Sequence, residues 1–368
     1  MPAVAALFVR AASSGRRYLR YRNAHGGEWL FPIERRYRSA ATELYRPFKL
    51  GGRARRALMR TGMGGRGVVL DAGTLSDLER AVADALGRQA VRLAFYTNGA
   101  DGGRKTSMIA ADLAGRPLAF GKSADGPEVE RGLEREHSNL VRLNGASSMV
   151  RSCPQPFGWI VHQGRPILLT SLGPSRAGPA TFGPLHASFL GALREAFGAT
   201  DRFGQSALWR NAVAQMQRAE LGEGGAWGNR FQNAASILEH RLVDVPMTLT
   251  LAHRDFAPWN TRVSPHGLFV FDWEFGSQGY PWSHDAFHFE FMTALLLGGS
   301  VSQESVRSWI DRVRAWEPDA DASLLFLAYL FDLGLQYRSF EIDHWVERDE
   351  PVLDAVAKLL DSVKDWIG

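Results

Sequence analysis

Cysteine occurs once in 368 residues, at Cys153. A single thiol excludes an intramolecular disulfide and a metal site built from paired thiolates, and it fits a reducing compartment. Lysine is also scarce, 5 residues against 38 arginines, so a lysine inside an apolar strand stands out. No apolar run approaches the roughly 18 residues of a membrane-spanning helix. The opening MPAVAALFVR carries no charge before Arg10 and so lacks the basic start of a secretory signal. There is no internal repeat, and Gly at 38 and Pro at 17 are too few for a collagen-like or low-complexity chain. What the chain does have is 45% hydrophobic against 22% charged residues. That is enough to bury a core in one large domain or two to three modest ones.

Charge is unevenly placed. Residues 1 to 70 hold 15 Lys+Arg against 3 Asp+Glu, and the remainder holds 28 against 36. A basic segment therefore precedes an acidic body. Its aromatics, among them Tyr18, Tyr21, Trp29, Phe31, Tyr37 and Tyr45, argue against a disordered tail. The reading is an extension packed on the body. An anionic partner or a carrier-lipid surface is left open for its arginines, and nucleic acid is less favoured.

Periodicity divides the chain into regions. Helices are expected at 37–46 and 52–60, a short strand at 68–70, and a helix over 77–87 capped by Thr74 or Ser76. Apolar alternation then predicts antiparallel strands at 91–99, 105–115 and 115–122, a helix at 127–143, and a hairpin of 157–164 with 166–173. After Gly173-Pro174 helices dominate: 185–197, 204–220, 228–240, 284–297, 302–315, 320–338 and 350–366. Two apolar strands interrupt them, TLTLAHRD (248–255) and GLFVFDWE (267–274). The expected domains are 1–88, 89–173 and 174–368.

The interrupting strands end in polar groups, as expected where a site emerges from a buried strand. Asp255 follows the first, Asn260 lies five residues on, and Asp272 ends the second. Hairpin-like pairing would set Asn260 beside Asp272. Oxygen donors of this kind suit Mg²⁺ when phosphates supply the other ligands, and Asp255 is then free to accept a proton. Lys122 closes an apolar strand. TNGADGGRK (97–105) is not a Walker A loop. Asn98, Gly99, Gly102 and Gly103 offer backbone N–H groups to phosphates there, and the same letters also suit an exposed hairpin turn.

This set resembles the kinase-like phosphotransferase superfamily, and within it the aminoglycoside phosphotransferase and choline kinase type of small-molecule kinase. The family pattern His-x-Asp-x-x-x-x-Asn matches His253, Asp255 and Asn260. The family's metal-binding Asp, often in Asp-Trp-Glu form, matches Asp272-Trp273-Glu274, and its later Asp matches Asp285 after Gly279-Tyr280-Pro281. The resemblance covers about residues 90 to 340. It implies an α+β, bilobal protein-kinase-like fold, with a strand-rich N-lobe and a mainly helical C-lobe behind the basic N-terminal extension.

The resemblance also implies roles. Asp255 is the catalytic base or hydroxyl-positioning residue, and His253 supports the catalytic loop. Asn260 and Asp272 are the Mg²⁺ ligands, and Asp285 ties the loop to the helical lobe. Glu274 is either a second metal contact or a solvated acid. Lys122 pairs with the nucleotide phosphates and is held by Glu136, with Glu134 as runner-up. The segment Thr170, Ser171, Leu172 meets adenine through its backbone, with Leu172, Ala119 and Phe271 as apolar candidates around the ring. ATP and Mg²⁺ are the implied cofactors, a small hydroxylated molecule the acceptor, and the cytoplasm the location. Alternatives are a protein kinase or a nucleotide-binding pseudokinase scaffold. Arg254 departs from the glycine usual in the small-molecule branch. It gives the His-Arg-Asp spelling of protein kinases, without their Asp-Phe-Gly or Ala-Pro-Glu.

Overall fold

Alternating apolar residues in the first half of the chain build one large antiparallel sheet in the computed structural model of the protein. It describes residues 11–23, 26–45, 50–98, 104–217, 225–298, 300–317, 320–344 and 350–367. The sheet belongs to a unit made of Met1–Gly145 and Cys153–Pro174. Its strands are β1 (Ala11–Arg22), β2 (Glu28–Pro32), β3 (Arg66–Leu70), β4 (Arg92–Thr97), β5 (Arg104–Ala111), β6 (Pro117–Asp125), β7 (Pro156–His162) and β8 (Arg165–Thr170). Their order is β3-β1-β2-β4-β5-β6-β8-β7. Three strands of the basic segment are thus hydrogen-bonded into the same sheet as β4 to β8.

Both faces of this sheet are covered. Helices α1 (Arg35–Ala41), α2 (Leu50–Thr61), α3 (Ala72–Ala85) and α4 (Pro127–Gly145) supply most of the cover. Successive residues of a strand point to opposite faces, and β1 shows this directly. Tyr18 enters a core with Leu30, Leu93, Phe95, Met108 and the α3 residues Leu75, Leu78 and Val82. Tyr21 enters a separate core with Trp29, Phe31, Ala41 of α1 and Met59 of α2. Tyr18, Tyr21, Trp29, Phe31 and Tyr37 of the basic segment are therefore core residues. Helix α3 starts at Ala72, earlier than the sequence predicts, because the Asp71 side chain accepts from the Thr74 N–H at 2.8 Å. That bond satisfies an orphan donor of the first turn. Leu75 and Leu78 then fall on the buried face.

The second unit comprises Ala146–Ser152 and Ser175–Gly368. In chain order its described elements are β9 (Arg176–Ala177), α5 (Pro184–Phe197), β10 (Ala199–Arg202), α6 (Ala207–Met216), α7 (Gly225–Arg241), β11 (Pro246–Ala252), β12 (Thr261–Ser264), β13 (Gly267–Val270), β14 (Ser277–Pro281), α8 (Ser283–Leu296), α9 (Gln303–Trp316), α10 (Ala322–His344) and α11 (Glu350–Asp361). Helix α10 is apolar around most of its circumference. Leu324, Leu325, Phe326, Leu327, Tyr329, Leu330 and Phe331 are all buried, which marks the central helix of a helical core. The two apolar strands read from the sequence lie in different small sheets, one ordered β10-β11-β14 and the other β13-β12-β9. The hairpin forms instead between β12 and β13, with Thr261 opposite Val270. The sequence reading missed β12, a strand of only four residues.

The protein therefore has the bilobal α+β, kinase-like fold. Among the described residues no helix is long and apolar enough to cross a membrane.

Candidate active site

The chain leaves β11 through His253-Arg254-Asp255, and three buried anchors shape that turn. His253 has no exposed surface. Its Nδ1 accepts the Asp255 N–H at 3.2 Å, so Nε2 carries the proton and donates to the Phe271 carbonyl at 3.0 Å. Asp285, in the first turn of α8, accepts the His253 N–H at 2.7 Å and the Arg254 N–H at 2.9 Å. Burial alone would raise the Asp285 carboxyl, but His284, whose Nδ1 lies 3.7 Å away, and the nearby His253 more than reverse this and hold it below the usual range.

Arg254 sits in the left-handed region at φ 64°. An L side chain is strained there by roughly 1–2 kcal/mol, which gives a physical reason for a glycine at this position. What offsets the strain here is Asp332 of α10. Its carboxylate accepts Arg254 Nη2 at 3.0 and 3.1 Å, His284 Nε2 at 3.1 Å and the Tyr280 hydroxyl at 3.4 Å. Gln336 Oε1 accepts the same Nη2 at 3.0 Å, and the guanidinium lies over the Tyr280 ring at 4.7 Å. Burial would raise the Asp332 carboxyl, yet the Arg254 charge and His284 bring it down to about 2. For His284, burial lowers the imidazole pKa, but the nearby Asp285 carboxylate and the hydrogen bond to Asp332 dominate and raise it.

Asp255, at the end of this anchored turn, is part-exposed. Its Oδ2 accepts Asn260 Nδ2 at 2.8 Å, and the same amide nitrogen donates to the Asp255 carbonyl at 2.9 Å. Asn260 is thereby fixed with its amide nitrogen toward Asp255. The Phe271 N–H donates to the Asn260 carbonyl at 3.1 Å, so Asp272 follows Asn260's direct neighbour across the β12–β13 hairpin. Asp272 adopts φ 74°, ψ 55°. Trp273 behind it is fully buried, lies tilted against the His253 ring with centroids 4.6 Å apart and donates its indole N–H to the Val270 carbonyl at 3.0 Å. An amide oxygen and a carboxylate are the donors a hard cation takes. No group of three or more His, Cys, Asp or Glu that could hold a metal ion is found among the described residues.

In the strand-rich unit, Lys122 of β6 meets Glu136 of α4. The ammonium lies 2.7 Å from both carboxylate oxygens, and the glutamate side chain is 4% exposed against 20% for the lysine.

No protein-family model matches this chain, and no curated protein matches it. Solved structures do resemble it. A thermostable mutant of the aminoglycoside phosphotransferase APH(4)-Ia, in ternary complex with AMP-PNP and hygromycin B, superposes with a TM-score of 0.51 at 15% identity, covering 78% of this chain and 97% of that one. Another thermostable mutant of that protein, with ADP and hygromycin B, gives 0.50 at 13% identity over 78% and 97%. A glucosamine kinase in complex with glucosamine, ADP and inorganic phosphate gives 0.45 at 15% identity over 99% and 97%. The fold is that of the kinase-like phosphotransferases.

The other residues singled out in the sequence fall as follows. Asn98 Oδ1 accepts the Lys105 N–H at 3.0 Å and so holds the start of β5. Gly99, Gly102 and Gly103 lie outside the described residues. Thr170 ends β8 and is 6% exposed. Ser171 donates its N–H to the Gln155 carbonyl at 2.8 Å and accepts the Gln155 N–H on Oγ at 2.9 Å. Leu172 packs partly buried against a cluster with Tyr37 and Ile109. Ala119 is fully buried in the core with Phe95 and Met108, and Phe271 lies under the Arg262 guanidinium at 4.8 Å. The sequence reading missed His284, His288 and Asp332. His284 and His288 sit four apart on α8, one helical face that periodicity alone marks. Asp332 was also findable, as an acid within an otherwise apolar stretch of α10.

Proposed function

We propose that the protein is an ATP- and Mg²⁺-dependent O-phosphotransferase that phosphorylates a hydroxyl of a small molecule, a sugar, glycoside or amino alcohol. The observation carrying this reading is the Asp255 carboxylate, held on one oxygen by Asn260 at the end of a turn anchored by Asp285 and Asp332. Phosphoryl transfer needs little covalent work from a protein and much positioning and charge stabilisation. Asp255 orients the acceptor hydroxyl and receives its proton. Asn260 Oδ1 and Asp272 would hold Mg²⁺, which would neutralise developing charge on the phosphates. Lys122, kept in place by Glu136, is assigned to the nucleotide phosphates, and Asn98 with its neighbouring glycines to the covering loop. Thr170, Ser171 and Leu172 are assigned to adenine. The nucleotides in the APH(4)-Ia complexes support ATP as donor; hygromycin B is not carried over to this chain. Use of ATP and a single buried thiol fit action in the cytoplasm. We also leave an anionic partner or carrier-lipid surface to the arginines of the basic segment.

The protein kinase alternative finds little support. Only a short 3₁₀ turn and β14 separate Asp272 from α8, and Arg254 is already paired with an internal carboxylate. The test is a screen of sugars, amino alcohols and nucleosides with Mg·ATP, reading nucleotide consumption and product mass. One acceptor should gain a phosphoryl group, and Asp255→Asn should abolish that transfer while leaving Mg·ATP affinity within a few-fold. Tight Mg·ATP binding with no transfer to any acceptor would favour a scaffold instead.

A further inference from the structure

A second histidine faces the Asp255 carboxylate from outside the turn that carries it. His288 lies on α8, one helical turn beyond His284, and is 2% exposed. Its Nε2 is 3.4 Å from Asp255 Oδ1, on the opposite carboxylate oxygen from the one Asn260 holds. Its Nδ1 is 3.5 Å from the hydroxyl of Tyr329, which is 1% exposed and comes from α10. The Tyr329 ring also stands edge-on to both His288 and His284, at 5.9 and 5.3 Å.

The proton inventory of this chain is constrained. The Tyr329 hydroxyl can donate to Nδ1 or accept from it, whereas the Asp255 carboxylate facing Nε2 can only accept, so the arrangement that suits both partners has Tyr329 donating to Nδ1. An imidazole accepting at Nδ1 carries its hydrogen on Nε2. That Nε2 is enclosed and makes no standard hydrogen bond in this geometry. An enclosed donor left unmade is costly, and the carboxylate it faces is within a small movement of a full bond. Hydrogen bonds of catalytic groups are often long before substrate binds and shorten afterwards.

We propose that His288 is a positioning residue for Asp255. Its Nε2–H, set by Tyr329, holds Oδ1 as Asn260 holds Oδ2, and the plane of the carboxylate is fixed for the incoming hydroxyl. The inference rests on Asp255 receiving the acceptor proton, and its test has one arm that does not. In full-length protein labelled with ¹⁵N-histidine, the signal absent from His288→Gln identifies His288. It should show protonated Nε2 and bare Nδ1 at neutral pH. It should move in Asp255→Asn and lose its single tautomer in Tyr329→Phe. A protonated Nδ1, or a signal indifferent to Asp255→Asn, overturns the proposal. The second arm uses the acceptor found by the screen. A misplaced catalytic group costs on the order of 10²-fold in rate, so His288→Phe should lower kcat by about that factor with KM for Mg·ATP unchanged. His288→Gln, which keeps a donor, should recover about tenfold. Equal losses in both variants, or a change confined to KM, would overturn the proposal. Failure of the acceptor screen would count against the proposed function alone, because the resonance arm still decides the role of His288.

Discussion

Replacing Asp332 by asparagine keeps the shape of the hub beneath the His253–Asp255 turn and removes its charge. Arg254, whose side chain is 14% exposed, would then keep its charge beside a neutral amide, and His284 would lose one of its two acid partners. Removing one partner of a buried ion pair destabilises by about 3–5 kcal/mol. The proton linkage gives the same order. A carboxyl brought from 3.8 to about 2 is worth about 2 kcal/mol. That contribution is present above the unfolded value and lost as pH falls through about 2. The paired substitution Arg254→Met with Asp332→Leu removes both charges and should return most of the loss, since apolar replacement of a buried pair is often neutral. Nine of the eleven tryptophans lie in the mainly helical unit (all but Trp29 and Trp159), so urea unfolding followed by intrinsic fluorescence reads the affected unit. A loss under about 0.5 kcal/mol for Asp332→Asn, a scale typical of unremarkable surface changes, would refute the hub. So would a double variant whose loss is the sum of the two singles.

Three further outcomes are expected. His186 is fully buried against Phe182 and Phe289, and burial brings its imidazole down to about 4. The unfolded chain takes up that proton first, so up to ~3 kcal/mol of stability is lost as pH falls from 6.5 to about 4. His186→Phe should flatten the melting temperature in that window, and an unchanged slope would contradict the assignment. Cys153 is 2% exposed, and burial pushes its thiol up to about 12. A disulfide reagent should therefore leave the native protein unlabelled and react in urea, and rapid native labelling would count against this burial. Lys122→Met should weaken nucleotide binding at least about tenfold by calorimetry, one charged contact being worth over 1.4 kcal/mol. Glu136→Gln should weaken it less, because the ammonium remains; wild-type affinity in Lys122→Met would remove the lysine from that role.

The long periodic elements were legible in the sequence. The strands at 92–97 and 117–125 and the helices at 127–145 and 303–316 lie within a few residues of their expected bounds, because one buried face imposes a clear period. The start of α3 was misplaced, since Asp71 competes with Thr74 and Ser76 as an equally good cap. β12 was invisible because four residues carry too little alternation. The spacing of Asp255, Asn260 and Asp272 was legible because a turn and a hairpin keep sequence neighbours together. Asp332, which lies 78 residues from Arg254, was not, because no local pattern records which acid a buried arginine meets. The same limit hid the approach of His288 to Asp255.

The eight-stranded sheet has one further consequence, for self-association. β1 and β2 stand between β3 and β4, with Trp29 opposite Tyr96 and Leu30 opposite Phe95. Were they absent, β4 would present its unpaired N–H and C=O groups beside Leu93, Ala94 and Phe95, an apolar edge on which another chain can pair. Among the described residues this side of the sheet ends instead at β3, whose exposed first residues are Arg66 and Gly67. There the register of β1 shifts between Ala11 and Arg16, and at Gly15 within that stretch an added Cβ would lie 2.1 Å from the Leu70 carbonyl oxygen. A short, kinked, arginine-bearing border is a poor template for strand addition.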